Sequence, residues 1–159
     1  MNRQTLFRLT ASIVLCGPAG AVGSIFTFPA IASWYASINK PYFTPPNWVF
    51  GPVWTALFLL MGIALFLVWE KGFQEKENKF AVKVFGAQLA LNVLWSLLFF
   101  GLHNPFLAMI EIVALWLAIA ATIILFYRID RRAALLLLPY LAWVSFAAFL
   151  NYNVWVLNA

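Results

Sequence analysis

Three polar side chains, Asn92, Glu111 and Asn151, lie inside long apolar segments, where a polar group is costly. Such residues usually face the interior of a helical bundle. At about 1.5 Å of rise per residue, each lies roughly 9–14 Å from the same end of its own helix. Because they come from three different segments, the sequence predicts a polar-lined cavity at one depth. Glu111 is also compatible with a proton path or with simple hydration near the interface.

Aromatic side chains recur at helical spacing around these polar residues. Three sets each share one helix face: Phe50, Trp54, Phe58 and Met61; Gln88, Asn92, Trp95 and Phe99; and Tyr140, Trp143, Ala147 and Asn151. Faces of this composition are typical of an apolar pocket with a few polar groups. The alternative is ordinary helix packing, with amides that hydrogen-bond between helices. The spacing alone favours neither interpretation.

Conventional catalytic constellations are missing from the sequence. It contains no nucleophile–base pair, no phosphate-binding loop and no dinucleotide fingerprint. Its single cysteine, Cys16, excludes an internal disulfide, and its single histidine, His103, argues against a metal site. We therefore expect no metal, no required cofactor, and no hydrolase, kinase or dehydrogenase chemistry.

Long apolar helices must position these side chains. The 159 residues are 65% hydrophobic, 18% aromatic and 9% charged, with a mean hydropathy of +0.91. A soluble domain carries about 25% charged residues, so soluble and disordered classes are excluded. Five segments have the length and composition of membrane spans: 6–28, 48–69, 80–101, 105–127 and 133–157. The sequence predicts an all-α integral membrane protein, with a single domain over 1–159 folded as a bundle of five transmembrane helices.

The first of these segments has a second interpretation. Arg3 and Arg8 precede a short apolar run that ends in small residues at 19–21, a pattern typical of a signal peptide. The apolar character continues through Phe28, and this favours a retained helix that Gly17-Pro18 interrupts.

Basic residues are distributed unevenly between the two sides of the membrane. With five spans, one side holds Arg3, Arg8, Lys71, Lys76, Lys79, Lys83, Arg128, Arg131 and Arg132. The other side holds Lys40 alone. We call them the basic side and the Lys40 side. The positive-inside rule predicts a cytoplasmic N-terminus, and we expect a bacterial cell envelope. The net charge of +5 then follows from topology, and no nucleic-acid partner is expected.

The connection between the first two spans is rich in proline and aromatic residues. It runs from Pro29 to Pro46, and its prolines fix the backbone, so we expect a stiff loop. Its aromatic residues, among them Trp34 and Tyr35, are compatible with an interfacial belt or with a lid over a cavity.

Three motifs resemble those of the TspO/translocator protein family, also called the peripheral benzodiazepine receptor or tryptophan-rich sensory protein family. The first contains Trp34-Tyr35, Lys40-Pro41, Pro45-Pro46, Trp48-Val49 and Gly51-Pro52-Val53-Trp54. The second contains Gln88-Leu89-Ala90-Leu91-Asn92, Trp95 and Phe99-Phe100-Gly101, and the third contains Pro139-Tyr140-Leu141-Ala142-Trp143, Phe146-Ala147 and Leu150-Asn151-Tyr152. The resemblance spans about Trp34 to Trp155, and hydropathy alone matches the first span.

The resemblance implies a receptor or sensor, commonly a homodimer, that binds porphyrins such as protoporphyrin IX and other tetrapyrroles beneath the first loop. Together with the cavity predicted above, it gives these ligand-binding residues: Trp34, Tyr35, Pro45, Pro46, Trp48, Phe50, Gly51, Trp54, Asn92, Trp95, Trp143, Ala147, Leu150 and Asn151. The porphyrin is the ligand, and no other cofactor is implied.

Two alternative functions remain open. One is light-dependent porphyrin degradation, in which Trp54 and Trp143 are the reactive residues. The other is transport of tetrapyrroles or sterols, although no internal repeat supports alternating access.

The chain also departs from the family pattern at two positions. No Lys or Arg follows Leu150-Asn151-Tyr152, whereas animal members carry a basic residue there in a sterol motif, so we expect at most weak sterol binding. Leu107 stands where some members have tryptophan, which is expected to alter affinity for synthetic ligands. Glu111 matches a position that is acidic in the family.

Overall fold

The structure, a computed structural model, describes residues 2–72 and 74–159. Met1 and Phe73, which belong to the predicted domain 1–159, lie outside the described residues. The helices are α1 (Arg3–Ala32), α2 (Trp34–Ser37), α3 (Asn47–Glu70), α4 (Lys76–Ser96), α5 (Pro105–Ile129) and α6 (Arg131–Asn158). A π-helical turn, Leu97–Gly101, continues α4. Within the described residues, five helices are long and apolar enough to cross a membrane, which confirms the predicted all-α bundle.

Each predicted span lies inside one of these five helices, but α1 is longer than predicted. It runs without a break through Gly17-Pro18 and through Pro29, and it ends at Ala32. The prediction of an interruption at Gly17-Pro18, and of a loop that begins at Pro29, is therefore wrong. Proline removes one backbone donor but is tolerated in helices that cross membranes. The connection to α3 begins at Ser33 and includes the short helix α2.

The order of helix contacts leaves a space on one side of the bundle. Helix α5 packs against α4 and α6, α1 packs against α3 and α4, and α3 packs against α6. Buried apolar side chains such as Phe85 and Phe126, whose rings stack at 5.5 Å between centroids, fill the half of the bundle near the basic side. The space near the Lys40 side is surrounded by α1, α3, α4 and α6.

Asp130 connects three elements at the basic side. It precedes α6, and its Oδ1 accepts a hydrogen bond of 2.8 Å from the backbone N–H of Arg132. Its Oδ2 lies 3.1 Å from the Arg132 guanidinium and 3.8 Å from Lys71 Nζ at the end of α3. The Asp130 side chain is only 6% exposed. The hydrogen bond from the Arg132 side chain holds the pKa of Asp130 below its ordinary value.

Asp130→Asn is expected to lower the melting temperature at about pH 7 by about 1–2 °C, because asparagine can still cap α6 but carries no charge. The effect is small because Arg132 and Lys71 are exposed to solvent. Since the folded pKa lies below the unfolded value of about 3.9, this stabilisation is present above that value and is lost as the pH falls. Thermal unfolding of both proteins at about pH 7 and about pH 3 checks this. An equal difference at both pH values would contradict it.

Candidate functional site

A cavity of about 700 Å³ occupies the space between α1, α3, α4 and α6. This volume lies within the range of pockets that enclose small organic ligands. Aromatic rings dominate three of its walls, and the side-chain amides of Asn92 and Asn151 contribute polar groups to these walls. The aromatic members are Phe50, Trp54 and Phe58 from α3, Trp95, Phe99 and Phe100 from α4 and its π-helical turn, and Trp143 from α6.

The structure brings most of the predicted site residues into this wall. They are Tyr35, Trp48, Phe50, Gly51, Trp54, Asn92, Trp95, Trp143, Ala147, Leu150 and Asn151. Trp34, Pro45 and Pro46 lie outside the wall. The Trp34 ring instead stacks on the His103 ring at 4.6 Å between centroids, in the connection between α4 and α5. That any of these residues binds a ligand stays a prediction.

Helix α1 supplies a fourth wall that the sequence analysis missed. Small residues dominate it, and they include Gly17, Ala19, Gly20, Ala21, Gly23 and Ser24. Small residues also mark helix–helix contacts in membranes, so their presence in α1 did not indicate a cavity.

The deepest members of the three predicted faces lie beneath the cavity, and we call them the floor. Asn92 Nδ2 donates to the Tyr140 hydroxyl at 3.0 Å, and that hydroxyl donates to Gln88 Oε1 at 2.9 Å. Gln88 Nε2 lies 3.8 Å from Met61 Sδ, within reach of a weak hydrogen bond. These side chains are buried. A chain of polar contacts therefore connects α3, α4 and α6 beneath the cavity and holds Asn92 in its wall.

Tyr140→Phe is expected to lower the free energy of unfolding by about 1–2 kcal/mol, because it leaves the buried Asn92 donor and the Gln88 acceptor without their shared partner. Tyr152→Phe is the matched control, since it removes the same hydroxyl from an exposed side chain of the same helix. Unfolding of the purified proteins by SDS in mixed micelles measures both. A Tyr140→Phe protein as stable as Tyr152→Phe would show that the floor does not depend on this hydroxyl.

Hydrogen bonds also fix the wall nearer the Lys40 side. Trp95 Nε1 donates to Asn151 Oδ1 at 3.0 Å, and Asn151 Nδ2 donates to the Pro105 carbonyl at 2.7 Å. These bonds connect α4, α6 and the start of α5. The π-helical turn that follows Trp95 contributes Phe99 and Phe100 to the wall, and such turns are often found at functional sites.

Residues 33–46, which we call the roof, connect α1 to α3 on the Lys40 side. Lys40 Nζ donates to the carbonyls of Tyr35 at 2.6 Å and of Ile38 at 2.9 Å. The Asn39 N–H donates to Asn158 Oδ1 at 2.9 Å, and Asn158 Nδ2 donates to the Asn39 carbonyl at 2.8 Å. Tyr35 is 4% exposed, and its burial raises the pKa of its phenol, so the hydroxyl stays neutral at physiological pH. Hydrogen bonds therefore fasten the roof to the end of α6.

Glu111 does not reach the cavity. Helix α5 packs against α4 and α6, and its Glu111 is only 7% exposed and absent from the wall. Neither carboxylate oxygen has a hydrogen-bond partner in the part of the chain that the structure describes. The prediction that one cavity joins Glu111 to Asn92 and Asn151 is therefore wrong. Among the described residues, no group of three His, Cys, Asp or Glu side chains is placed to hold a metal ion.

Comparison with known proteins identifies the family. A profile of the TspO/MBR family matches residues 12–156. The chain is 47% identical to the tryptophan-rich protein TspO of Archaeoglobus fulgidus, over 98% of this chain and 100% of that protein. It is 46% identical to the tryptophan-rich protein TspO of Chlorobaculum tepidum, over 99% of each chain. It is 42% identical to the translocator protein of Homo sapiens, over 84% of this chain and 80% of that protein. The resemblance found in the sequence is thus confirmed, and this multi-pass membrane protein belongs to the TspO/MBR family.

Proposed function

We propose that this protein is a membrane receptor or sensor that binds a porphyrin, such as protoporphyrin IX, in the cavity between α1, α3, α4 and α6. The observation that supports the proposal is a cavity of about 700 Å³ whose wall is largely aromatic. A flat conjugated macrocycle has two large apolar faces, and aromatic side chains bind such faces by stacking and edge contacts. The names of relatives are in keeping with this role, since one in Cereibacter sphaeroides is called a tryptophan-rich sensory protein.

Two indoles form the centre of the proposed contact. Trp54 lies on α3, with its ring 6.2 Å from the Tyr140 ring of the floor. Trp143 lies on α6, with its ring 5.9 Å from the Phe50 ring. The neighbouring rings restrict both indoles, so little side-chain entropy is lost when a ligand stacks against them.

Polar groups of the wall favour a defined orientation of the macrocycle. Asn92 uses Nδ2 to bond Tyr140, which leaves its Oδ1 as an acceptor for a pyrrole N–H. Among the residues that the structure describes, no charged side chain lies in the wall. We therefore place the apolar macrocycle within the cavity and its propionates toward the Lys40 side, where they stay hydrated.

A titration in the dark tests the proposal. Purified protein in lipid nanodiscs is titrated with protoporphyrin IX, and the shift of the porphyrin Soret band is followed. Saturation at one porphyrin per protomer, absent from protein-free nanodiscs, is the expected result. A signal that rises without saturation in both samples would mean partition into lipid and would contradict the proposal.

Other properties implied by the family stay predictions. They include a homodimer, weak sterol binding, light-dependent porphyrin degradation by Trp54 and Trp143, and transport of tetrapyrroles or sterols. The cytoplasmic N-terminus, which the distribution of basic residues predicts, also stays a prediction.

A further inference from the structure

Some residues of the cavity wall are exposed rather than buried. On α1 these are Gly17, Ala21 and Phe28, and on α3 they are Trp48, Gly51, Thr55 and Leu59. The side chains of Phe28 and Trp48 are 74% and 75% exposed. Wall residues that are about three-quarters exposed, as Phe28 and Trp48 are, mark a place where the cavity is open to its surroundings. Because these positions lie within helices that span the membrane, the cavity faces lipid there.

The exposed wall residues form two edges, one on α1 and one on α3, and the two edges cover the same range of depth in the membrane. Their spacing on α1 and on α3 keeps each set on one face of its helix. Consecutive spans run in opposite directions, so Phe28 and Trp48 both lie near the Lys40 side, whereas Gly17 and Leu59 lie deeper. The side chains between these two levels are small, with Ala21 on one edge and Gly51 on the other. The two edges therefore border one slot.

The slot is closed toward the basic side. A Cβ atom at Gly62 of α3 would lie 2.7 Å from the Ile13 Cα atom of α1, so the two backbones touch there. Nearer the Lys40 side, a Cβ atom at Gly20 of α1 would lie 2.6 Å from the Phe58 ring of α3. Helices α1 and α3 thus meet in the deep half of the bundle, and the slot lies above this contact.

The roof lies on the Lys40 side of the cavity, and hydrogen bonds hold it in place. Asn39 and Asn158 exchange two hydrogen bonds, and Lys40 donates to two carbonyls at the end of α2. A ligand that passed from water through the roof would have to break these bonds, whereas the slot between α1 and α3 needs none broken.

We propose that ligands reach the cavity from the bilayer through this slot, which we call the portal, and not from water through the roof. The portal edges, which are the exposed wall residues above the contact between α1 and α3, are Ala21, Phe28, Trp48, Gly51 and Thr55, and they carry no charge. The portal therefore selects lipid-soluble molecules, and a polar end group of the ligand stays at the interface on the Lys40 side. The proposal extends the porphyrin function by giving its route, and it applies to any apolar ligand of the cavity.

Thiol labelling tests the route without any porphyrin. The background is Cys16→Ala, and Ala147→Cys places a single thiol in the cavity wall. In nanodiscs, N-phenylmaleimide, which partitions into lipid, is expected to label this thiol. A sulfonated methanethiosulfonate, which stays in water, is expected to label it far more slowly when each rate is divided by that reagent's rate with a free thiol in water. Ala21→Phe narrows the portal and should slow the maleimide reaction by about tenfold.

Matched controls separate the portal from the roof. Ala56 is an exposed alanine of α3 outside the cavity wall, so Ala56→Phe should leave the rate within about twofold. Asn158→Ala removes the two hydrogen bonds that the Asn158 side chain makes with Asn39 of the roof. The portal predicts that this change does not accelerate labelling by either reagent. The proposal is overturned if the sulfonated reagent labels as fast as the maleimide after this division, or if Asn158→Ala accelerates labelling while Ala21→Phe has no effect.

A second copy of the chain on this face would give a different result. Ala21→Phe would then change the oligomeric state, measured by light scattering, without slowing the maleimide, and this outcome also overturns the portal. The two proposals fail in different experiments. If the protein does not bind porphyrin, the titration does not saturate, but the labelling rates still show which route reaches the cavity. If porphyrin binds, Ala21→Phe should also slow its association.

Discussion

Replacement of Trp54 and Trp143 together by leucine is expected to weaken the binding of protoporphyrin IX in the dark by about 100-fold. Each indole offers a large rigid surface to the macrocycle, and its loss removes both apolar contact and the specific ring interaction, about 1.5 kcal/mol each. Two such losses total about 3 kcal/mol, which corresponds to about two orders of magnitude in Kd. The two residues lie on different helices, α3 and α6, so neither replacement compensates for the other.

The control removes the same number of indoles from outside the cavity. Trp116 lies on α5 and donates to Ser145, and Trp155 contacts Phe106 near the end of α6. Neither residue is in the wall, so a Trp116→Leu/Trp155→Leu protein should bind porphyrin within about twofold of the unchanged chain. The Soret titration is read together with the melting temperature, which separates lost contact from lost folding. Saturable binding of equal affinity in the Trp54/Trp143 variant would place the porphyrin elsewhere.

The bundle was predictable because the bilayer restricts what a spanning segment can be. Every backbone group must be paired inside the segment, so a span is a helix of about 20 apolar residues, and hydropathy identifies it. The ends of α1 were not predictable in this way. Prolines usually end helices in water, whereas Pro18 and Pro29 lie inside α1. The expectation that proline ends a helix, which holds in water, was wrong for α1 because neighbouring helices and lipid surround its backbone.

The site was predictable where it depends on helical periodicity. Trp54, Trp95 and Trp143 were assigned to faces of three helices by spacing alone, and these three faces meet at one cavity. The prediction that Glu111 lines the cavity was wrong because the depth of a residue along a helix does not give the direction of its side chain around the helix axis. Its depth resembles that of Asn151, but α5 packs against α4 and α6 and the carboxylate does not face the cavity.

The contributions of α1 and of Trp34 needed tertiary information. The α1 wall consists largely of small residues, whose sequence signal is the same for a tight helix contact and for a cavity edge. Trp34 begins the short helix α2, and its ring stacks on His103, a residue distant in sequence. No local pattern predicts that pairing.

Gly62→Ala is expected to lower the free energy of unfolding by about 2–3 kcal/mol, because α1 and α3 touch at this glycine. An added Cβ would lie 2.7 Å from the Ile13 Cα atom and 3.2 Å from its backbone nitrogen. Backbone atoms cannot rotate away as a side chain can, so the two helices must separate. The better helix propensity of alanine, about 1 kcal/mol, offsets only part of this cost.

Gly86→Ala is the matched control for this substitution. Gly86 is also in the interior of a spanning helix, but among the described residues no atom outside the neighbouring backbone of that helix lies within 4 Å of an added Cβ. The change should therefore raise stability by up to about 1 kcal/mol. Opposite signs for the two substitutions, measured by SDS unfolding in mixed micelles, are the expected result. The same gain for both would show that α1 does not contact α3 at this level, and the portal would then lose its closed deep end. If the contact exists, a folded fraction of Gly62→Ala should have a wider portal and a faster maleimide reaction at Ala147→Cys.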